Sequence, residues 1–267
     1  MFDSLTAGLN EDCPYGDITT ELLGISGLGK FRFISREDAI ISGTPRLKEF
    51  FESKKLQVVD CKEAGTSVAK GGVIIEAHGE LATLFKLWRI CQTYLTVMSA
   101  IATQTHKLVS AAREVNPDIQ IVVACRKAHL GMRLDEMRAI QDGGAIYHRN
   151  SLSDTILITQ NHMRMLDSLP EKLYSMQHKI EFEPSNLEEA FRYASCVDVM
   201  LLDHFEAETL KPVVQELRQM NPKLQIGVAG GITLNTVTKF AGFVDLILLS
   251  SVLYAYPLDF TCRIERI

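Results

Sequence analysis

The spacing of apolar residues divides the chain into three stretches with different periodicities. Residues 30–81 contain short apolar runs separated by turn residues, with one helix near 45–53, as is typical of a small α+β domain. Residues 81–113 repeat apolar side chains at steps of three and four, which predicts one long helix that ends before Asn116-Pro117. The strands expected in the first stretch are 31–34, 39–41, 58–59 and 73–77.

Beyond residue 119, short β-branched runs alternate with amphipathic helices. This alternation indicates βαβ units and a parallel sheet that is buried on both faces. A barrel and an open sheet both fit the pattern, and we favour the barrel. The expected strands are 119–124, 145–148, 179–182, 197–202, 224–229 and 244–249. The expected helices are 134–141, a stretch within 162–177, 187–194, 206–220 and 233–240, with Pro212 marking a late start or a kink in the fourth.

Each expected strand is followed by charged, polar or glycine residues. In parallel α/β folds the ligand lies beyond the carboxyl ends of the strands, so these residues predict one convergent site. Loops are polar in any case, and chance is the rival interpretation. The residues are Arg126-Lys127, His148-Arg149, Glu181 and Glu183, Asp203-His204, Gly230-Gly231 and Ser250-Ser251.

The charges at this edge indicate the chemistry of the ligand. Arginine forks suit carboxylates and phosphates, whereas paired carboxylates suit sugar hydroxyls or a hydrated magnesium ion. The turn Gly230-Gly231 is expected to lead straight into a helix, whose N-terminus would attract a phosphate group. Many such turns contain two glycines for their geometry alone.

Composition excludes several other classes of protein. The 267 residues include 28 Lys and Arg against 33 Asp and Glu, so general binding to nucleic acid or anionic membranes is not expected. No uncharged run could span a bilayer, and the N-terminus has no signal-peptide pattern. The six cysteines include no closely spaced pair for zinc or dithiol chemistry. Three disulfides could form in principle, but we favour a reduced, cytoplasmic protein.

A few isolated residues have both functional and structural interpretations. Cys125 is expected to pack as a small apolar residue, because no neighbouring group would activate its thiol. His129 and His162 fit the rim of the site and a structural role equally well. His78 and His106 are expected to be surface or packing residues.

Several segments together resemble the quinolinate phosphoribosyltransferases, also called nicotinate-nucleotide pyrophosphorylases. Residues 11–20 are similar to the family's ED-x-x-YGDITT segment, and residues 157–162 are similar to its LIKDNH segment. The remaining matches are 98–103 with LSGIAT, 125–127 with TRK, 147–149 with NHR, 180–183 with VEVE, together with 201–203 and 229–233. The matches run in order over nearly the whole chain, which is identified as a member of this family.

The resemblance implies an incomplete parallel α/β barrel, the type II phosphoribosyltransferase fold, with a smaller N-terminal α/β sandwich domain. The barrel would comprise residues 107–254, and the sandwich residues 1–106 plus 255–267. The sandwich would be discontinuous because the tail 259–267 alternates apolar and polar residues, as a half-buried strand of the N-terminal sheet does. A homodimer, or a multiple of dimers, is also implied.

The family reaction depends on Mg²⁺ and belongs to NAD biosynthesis. The ring nitrogen of quinolinate attacks C1 of phosphoribosyl pyrophosphate, pyrophosphate leaves, and the C2 carboxylate is lost as carbon dioxide. The resemblance implies catalytic roles for Lys127 at the pyrophosphate and for Glu183 and Asp203 at the ribose hydroxyls or Mg²⁺. The implied substrate-binding residues are Arg126, His148, Arg149 and Thr159 for the acceptor, Gly230, Gly231 and Ser250 for the donor, and Arg89 from a neighbouring subunit.

The chain departs from the family pattern at several of these positions. Thr159 replaces a Lys and Gln160 replaces an Asp, while 128–130, Ala229 and Ser250 also differ. These departures resemble the ModD branch, which is named for molybdate-transport operons. Two functional classes stay open: a phosphoribosyltransferase for quinolinate or another heteroaromatic acid, and a non-catalytic metabolite- or oxyanion-binding protein linked to molybdate transport. Because Thr159 lacks a positive charge, quinolinate is expected to be a poor acceptor.

Overall fold

A computed structural model describes residues 3–170 and 173–267 of the chain. Its helices are α1 (Ser4–Asp12), α2 (Ile18–Leu22), α3 (Thr44–Ser53), α4 (Leu81–Val115), α5 (Arg133–Asp142), α6 (Gln160–Met163), α7 (Leu187–Tyr193), α8 (Ala207–Met220) and α9 (Val237–Ala241). Its strands are β1 (Leu28–Ser35), β2 (Ala39–Ile40), β3 (Gln57–Cys61), β4 (Ser67–Val68), β5 (Val73–Glu80), β6 (Gln120–Val123), β7 (Ile146–Tyr147), β8 (Ile156–Ile158), β9 (Ile180–Phe182), β10 (Val199–Asp203), β11 (Gln225–Ala229), β12 (Leu246–Leu249) and β13 (Phe260–Arg266).

An antiparallel sheet in the order β13-β1-β5-β3 forms the centre of the first part of the chain. The C-terminal strand β13 pairs with β1 along its length, with Ile264 opposite Phe31, so the strand expected in the tail is confirmed. One face of β1 presents Phe31 and Phe33, which are fully buried. The ring of Phe51 in α3 lies 5.0 Å from the ring of Phe31, and this aromatic cluster covers the apolar face of the sheet.

A parallel sheet in the order β7-β6-β12-β11-β10-β9-β8 dominates the second part. The strands β7 and β8 follow each other in sequence yet lie at opposite edges of this sheet. The sheet therefore curls without closing, and the expected incomplete barrel is confirmed. Neighbouring strands are in parallel register: Met200 of β10 lies between Phe182 of β9 and Ile226 of β11.

Contacts between Cα atoms divide the chain into two units. The first contains residues up to His106, Ala128–Gly144 and Val252–Ile267, and the second contains Lys107–Lys127 and Ala145–Ser251. The segment that carries α5 thus clusters with the first unit, whereas the sequence places it with the barrel. Hydrogen bonds within that unit hold it there, because Ser4 Oγ donates to Asp135 Oδ2 at 2.9 Å and Ser42 Oγ donates to Asp142 Oδ2 at 2.6 Å.

Several expected elements differ in the structure. The helix expected within 162–177 is wrong for the described residues, where α6 ends at Met163 and no other helix follows it before β9. Residues 171 and 172 lie outside the described part. Of the late start or kink expected at Pro212, the late start is excluded, because α8 begins at Ala207 and contains Pro212. The helices α1 and α2 and the very short strands β4 and β8 were not predicted from the sequence.

Two further observations concern the chain as a whole. No helix in the described ranges is long and apolar enough to cross a membrane. None of the six cysteines, all of which lie in those ranges, forms a disulfide.

Candidate functional site

A cavity of about 570 Å³ lies within the second unit, at the carboxyl ends of the parallel strands. Residues after β6, β7, β9, β10, β11 and β12 line it, so the expected convergence of strand ends is present in the structure. Apolar side chains such as Leu157, Leu201 and Leu248 line it as well. The expected site residues in its wall are Arg126, Lys127, His148, Arg149, Glu183, Asp203, Gly230, Gly231 and Ser250.

Three cationic side chains enter the cavity from the ends of β6 and β7. Arg126 and Lys127 are exposed on a single 3₁₀ turn, whereas Cys125 of the same turn is fully buried and packs as expected. Arg149 donates from Nη1 to the carbonyl oxygen of Thr155 at 3.2 Å. Burial and the nearby Arg126 lower the pKa of Arg149 despite the opposing charge of Glu181. A guanidinium nevertheless keeps its charge at neutral pH, so this side of the cavity attracts anions.

His148 is held in place by both its backbone and its ring. Its N–H donates to the carbonyl oxygen of Val123 at 2.8 Å, which extends the pairing of β7 with β6. Its ring nitrogen Nε2 lies 2.6 Å from Oε2 of Glu181, a residue of β9 that is 3% exposed. This short contact ties the ring to a buried carboxyl group and so fixes the orientation of the ring.

Two carboxylates form the anionic side of the cavity. Glu183 follows β9, and its N–H donates to the carbonyl oxygen of Ile158 at 2.9 Å. Burial raises the pKa of Glu183, and the nearby carboxylates of Asp203 and Glu181 raise it further, against the opposing effects of Lys127 and His204. Two like charges held this close favour a ligand that brings hydroxyl donors or a cation.

The turn after β11 brings backbone close to the carboxylates. Gly230 has a φ of 84°, and a Cβ at this position would lie 2.7 Å from Oδ1 of Asp203 and from the backbone nitrogen of His204. Only glycine fits such an approach. Gly231 also has a positive φ, of 64°, but a Cβ there would meet open space.

The expected helix directly after this turn is wrong. The helix α9 begins only at Val237, and the intervening turn is closed by the N–H of Thr233, which donates to Oγ1 of Thr236 at 2.9 Å. A single helical turn so far along the chain contributes no dipole at the glycines. Any phosphate bound there would be held by the glycine backbone itself.

Thr159 and Arg89 do not line the cavity. Thr159 is the N-cap of α6, and its hydroxyl lies 3.0 Å from Nδ1 of His162. Arg89 is an exposed residue of α4 in the first unit, stacked at 4.0 Å on the ring of Trp88. His129 also has a structural partner, because its ring lies 2.6 Å from the buried carboxylate of Glu136.

The strand-end pattern in the sequence included Glu181 and His204, but Gln160 was not expected in the site. Glu181 does not line the cavity itself and instead contacts the ring of His148, which does. His204 lines the cavity as expected, with a positive φ of 61°. The side chain of Gln160 donates to the backbone carbonyl oxygen of Glu183. This contact is tertiary, and no local sequence pattern predicts it.

Comparisons with known proteins agree over the whole length of the chain. The family described as quinolinate phosphoribosyl transferase matches with its N-terminal domain at residues 17–99 and its C-terminal domain at residues 101–263. A probable nicotinate-nucleotide pyrophosphorylase [carboxylating] from Archaeoglobus fulgidus is 31% identical, over 94% of this chain and 99% of the relative. A putative pyrophosphorylase ModD from Pasteurella multocida is 28% identical, over 97% of this chain and 95% of the relative. The crystal structure of NadC from Streptococcus pyogenes superposes with a TM-score of 0.90 at 24% identity, covering 99% of this chain and 97% of the other.

Proposed function

The chain belongs to the quinolinate phosphoribosyl transferase family, and from this premise we propose that it transfers a phosphoribosyl group from phosphoribosyl pyrophosphate to a heteroaromatic carboxylic acid. The observation that carries the proposal is the cavity, in which cationic residues oppose a pair of carboxylates across one space. Both substrates are anionic, and the donor also carries ribose hydroxyls. The cavity offers a complementary group for each of these features.

The acceptor is assigned to the cationic side. Arg126 and Arg149 provide planar forks that bind a carboxylate through paired hydrogen bonds. The ring of His148, fixed by Glu181, would present its other nitrogen to the acceptor at the same side. These residues would orient the ring nitrogen of the acceptor toward the donor.

The donor is assigned to the opposite side. Glu183 and Asp203 would accept hydrogen bonds from the ribose hydroxyls, and Lys127 would bind the leaving pyrophosphate. Gly231 borders open space, so its backbone, with that of Gly230, would receive the 5′-phosphate. Ser250 lines the same cavity and supplies a neutral hydroxyl.

The residues present fit a magnesium ion that arrives with the donor. Glu183 and Asp203 supply carboxylate oxygens, the type of ligand that Mg²⁺ prefers. In the described part of the chain no group of three or more His, Cys, Asp or Glu side chains is placed to hold a metal. Mg²⁺ commonly keeps water and phosphate oxygens as its other ligands, so two protein carboxylates suffice. When bound, the ion would neutralise charge on the leaving pyrophosphate.

The residues of the chain promote the reaction by alignment and charge. The acceptor nitrogen forms a bond to C1 of the ribose while the bond from C1 to the pyrophosphate oxygen breaks. Holding two anions in line converts an encounter in solution into a reaction within one complex. Positive charge develops on the sugar, and the carboxylates of Glu183 and Asp203 would stabilise it. Loss of the C2 carboxylate as carbon dioxide would follow when the acceptor is quinolinate.

Thr159 does not line the cavity, and we propose that the absence of a cation at position 159 affects which acceptor is used. The relatives from Archaeoglobus fulgidus and Pasteurella multocida carry pyrophosphorylase names, one of the nicotinate-nucleotide type and one of the ModD type. The Thr159 hydroxyl lies against His162, so this position adds no cation to the cavity. We assign the chain to the ModD-like branch and expect an acceptor that carries less negative charge than quinolinate.

The same family relationship supports a homodimer in which Arg89 completes the partner's site. Sedimentation equilibrium at micromolar concentration should then give a mass of two chains. A single species near 29.8 kDa would contradict this assembly.

An acceptor panel tests the proposed activity. Purified protein, phosphoribosyl pyrophosphate and Mg²⁺ are incubated with quinolinate, nicotinate or other heteroaromatic acids, and released pyrophosphate and nucleotide product are quantified. Release that requires both an acceptor and Mg²⁺ supports the transferase. No release with any acid, together with tight binding of the acid alone, supports the non-catalytic binding protein.

A further inference from the structure

The side-chain amide of Gln160 lies between the backbone of Glu183 and a carboxylate on α7. Its Nε2 donates to the carbonyl oxygen of Glu183 at 3.1 Å and to Oε2 of Glu189 at 3.2 Å. The two bonds use the two hydrogens of a single NH₂ group. Gln160 is the first residue of α6, and Glu189 belongs to α7.

The same oxygen of Glu189 also holds the loop that follows Glu183. Oε2 of Glu189 accepts from the N–H of Ser185 at 2.8 Å and from its hydroxyl at 2.9 Å. Burial alone would raise the pKa of Glu189, but the hydrogen bonds from Ser185 and Gln160, with Arg192 nearby, outweigh it and lower the pKa. The carboxylate is therefore ionised and acts as an acceptor for all three donors at neutral pH.

The backbone of Glu183 is therefore fixed by two hydrogen bonds, one at its N–H and one at its carbonyl oxygen. The N–H of Glu183 is bound by the carbonyl oxygen of Ile158, and its carbonyl oxygen is bound by Gln160. This backbone carries the Glu183 carboxylate close to the like charge of Asp203. Repulsion between two carboxylates favours their separation, so a rigid support is needed to keep them on one ligand.

We infer that Gln160 is a positioning residue, which holds the Glu183 carboxylate beside Asp203 for the donor. The inference rests on the proposed function only in naming the donor. An acidic residue at position 160 would face both the Glu189 carboxylate and the Glu183 carbonyl oxygen, and it would repel the two groups that Gln160 binds. Gln160 itself does not line the cavity.

Gln160→Glu is the direct test, because it keeps the size of the side chain and removes both donors. Asn161→Asp is the matched control: this neighbouring amide is exposed, and the carboxylate can still accept from Nη1 of Arg164. The double variant Gln160→Glu/Glu189→Gln separates the two roles of Gln160. It rebuilds a bond between positions 160 and 189 with reversed donor and acceptor, yet it leaves the Glu183 carbonyl without a donor.

Three measurements are made on the wild type and these three variants, and one of them is thermal unfolding, which gives the melting temperature. Titration calorimetry with phosphoribosyl pyrophosphate and Mg²⁺ reports donor affinity, and amide hydrogen exchange of the peptide covering 180–186 reports order around Glu183. For Gln160→Glu we expect donor affinity to fall by about tenfold or more, exchange of that peptide to accelerate, and acceptor affinity to change little. The double variant should regain the melting temperature of the wild type but not its affinity for the donor.

Opposite results would overturn the inference. Donor affinity of Gln160→Glu equal to that of Asn161→Asp would show that Glu183 needs no support from Gln160. Full recovery of donor affinity in the double variant would show that only the link between α6 and α7 matters. If the wild type binds no donor, the proposed function fails, and unchanged exchange of residues 180–186 in Gln160→Glu would separately overturn the positioning role.

Discussion

The imidazole of His148 and the carboxylate of Glu181 form a hydrogen bond of 2.6 Å between Nε2 and Oε2, in a part of the barrel where Glu181 is 3% exposed. An unpartnered carboxylate at such depth would be strongly destabilising, so each group depends on the other. The pair also fixes the orientation of the ring that lines the cavity beside Arg149. Glu181 therefore affects the acceptor side of the site without lining the cavity.

Replacement of Glu181 tests this dependence. Glu181→Gln keeps the size of the side chain, and its amide oxygen can still accept from His148, although without the carboxylate charge. We expect the KM for the acceptor to rise by about tenfold, since a hydrogen bond to a charged group contributes about 1.5–3 kcal/mol. The KM for phosphoribosyl pyrophosphate should stay near the wild-type value. Equal increases in both KM values would contradict a role restricted to the acceptor side.

Introduction of a cation at position 159 tests the acceptor assignment. Thr159→Lys should raise kcat/KM with quinolinate by roughly ten- to a hundredfold, because a charge-assisted hydrogen bond to the second carboxylate is worth about 1.5–3 kcal/mol. Steady-state rates with saturating donor and Mg²⁺ measure the effect. Thr159→Val serves as the control, since it removes the cap of α6 without adding charge. An unchanged kcat/KM in Thr159→Lys would refute the explanation.

Much of the fold could be predicted from the sequence because its periodicities are strong. The alternation of Val and Ile runs with amphipathic helices indicated the parallel sheet, and the alternating tail indicated β13. The three-residue strand β8 was missed because so short a run has no recognisable period. The helix expected after Gly230-Gly231 was wrong because the hydroxyl of Thr236 closes a turn there first.

The candidate site could be predicted only where charged residues follow strands directly. Arg126, Asp203 and their neighbours were placed correctly in the cavity because carboxyl ends of parallel strands share one edge. Thr159 was expected in the site, but its hydroxyl is used locally by His162. The link from Gln160 to Glu183 joins residues far apart in sequence, and no local pattern encodes such a contact.

The two glycines after β11 should differ in their tolerance of a side chain. Gly230→Ala places a Cβ 2.7 Å from Asp203 and His204 and forces a positive φ, so we expect a lower melting temperature and weaker donor binding. Gly231→Ala meets no neighbouring atom, and its conformational strain should cost about 1–2 kcal/mol. Thermal unfolding and donor calorimetry compare the two. Equal losses of donor affinity in the two variants would contradict the steric argument.

The lowered pKa of Glu189 predicts a pH-dependent contribution to stability. Its pKa lies below the ordinary value of 4.5 because hydrogen bonds from Ser185 and Gln160 outweigh the effect of burial. The stabilisation is complete above that ordinary value and is lost as the pH falls through the lowered pKa. Glu189→Gln should therefore melt below the wild type at neutral pH, and the difference should shrink in acid. Melting temperatures of both proteins should be measured between about pH 7 and about pH 3. A difference between wild type and Glu189→Gln that stayed constant over this range would contradict the prediction.

Titration calorimetry of the wild type with phosphoribosyl pyrophosphate tests the central claim most directly. A site for phosphoribosyl transfer should bind one donor per chain in the presence of Mg²⁺, and binding should weaken when Mg²⁺ is removed. Glu183→Gln and Asp203→Asn should each weaken it as well, because both residues line the cavity and are proposed to bind the donor. Absence of donor binding with Mg²⁺ present, while a heteroaromatic acid still binds, would contradict the transferase and leave a binding protein for the acid alone.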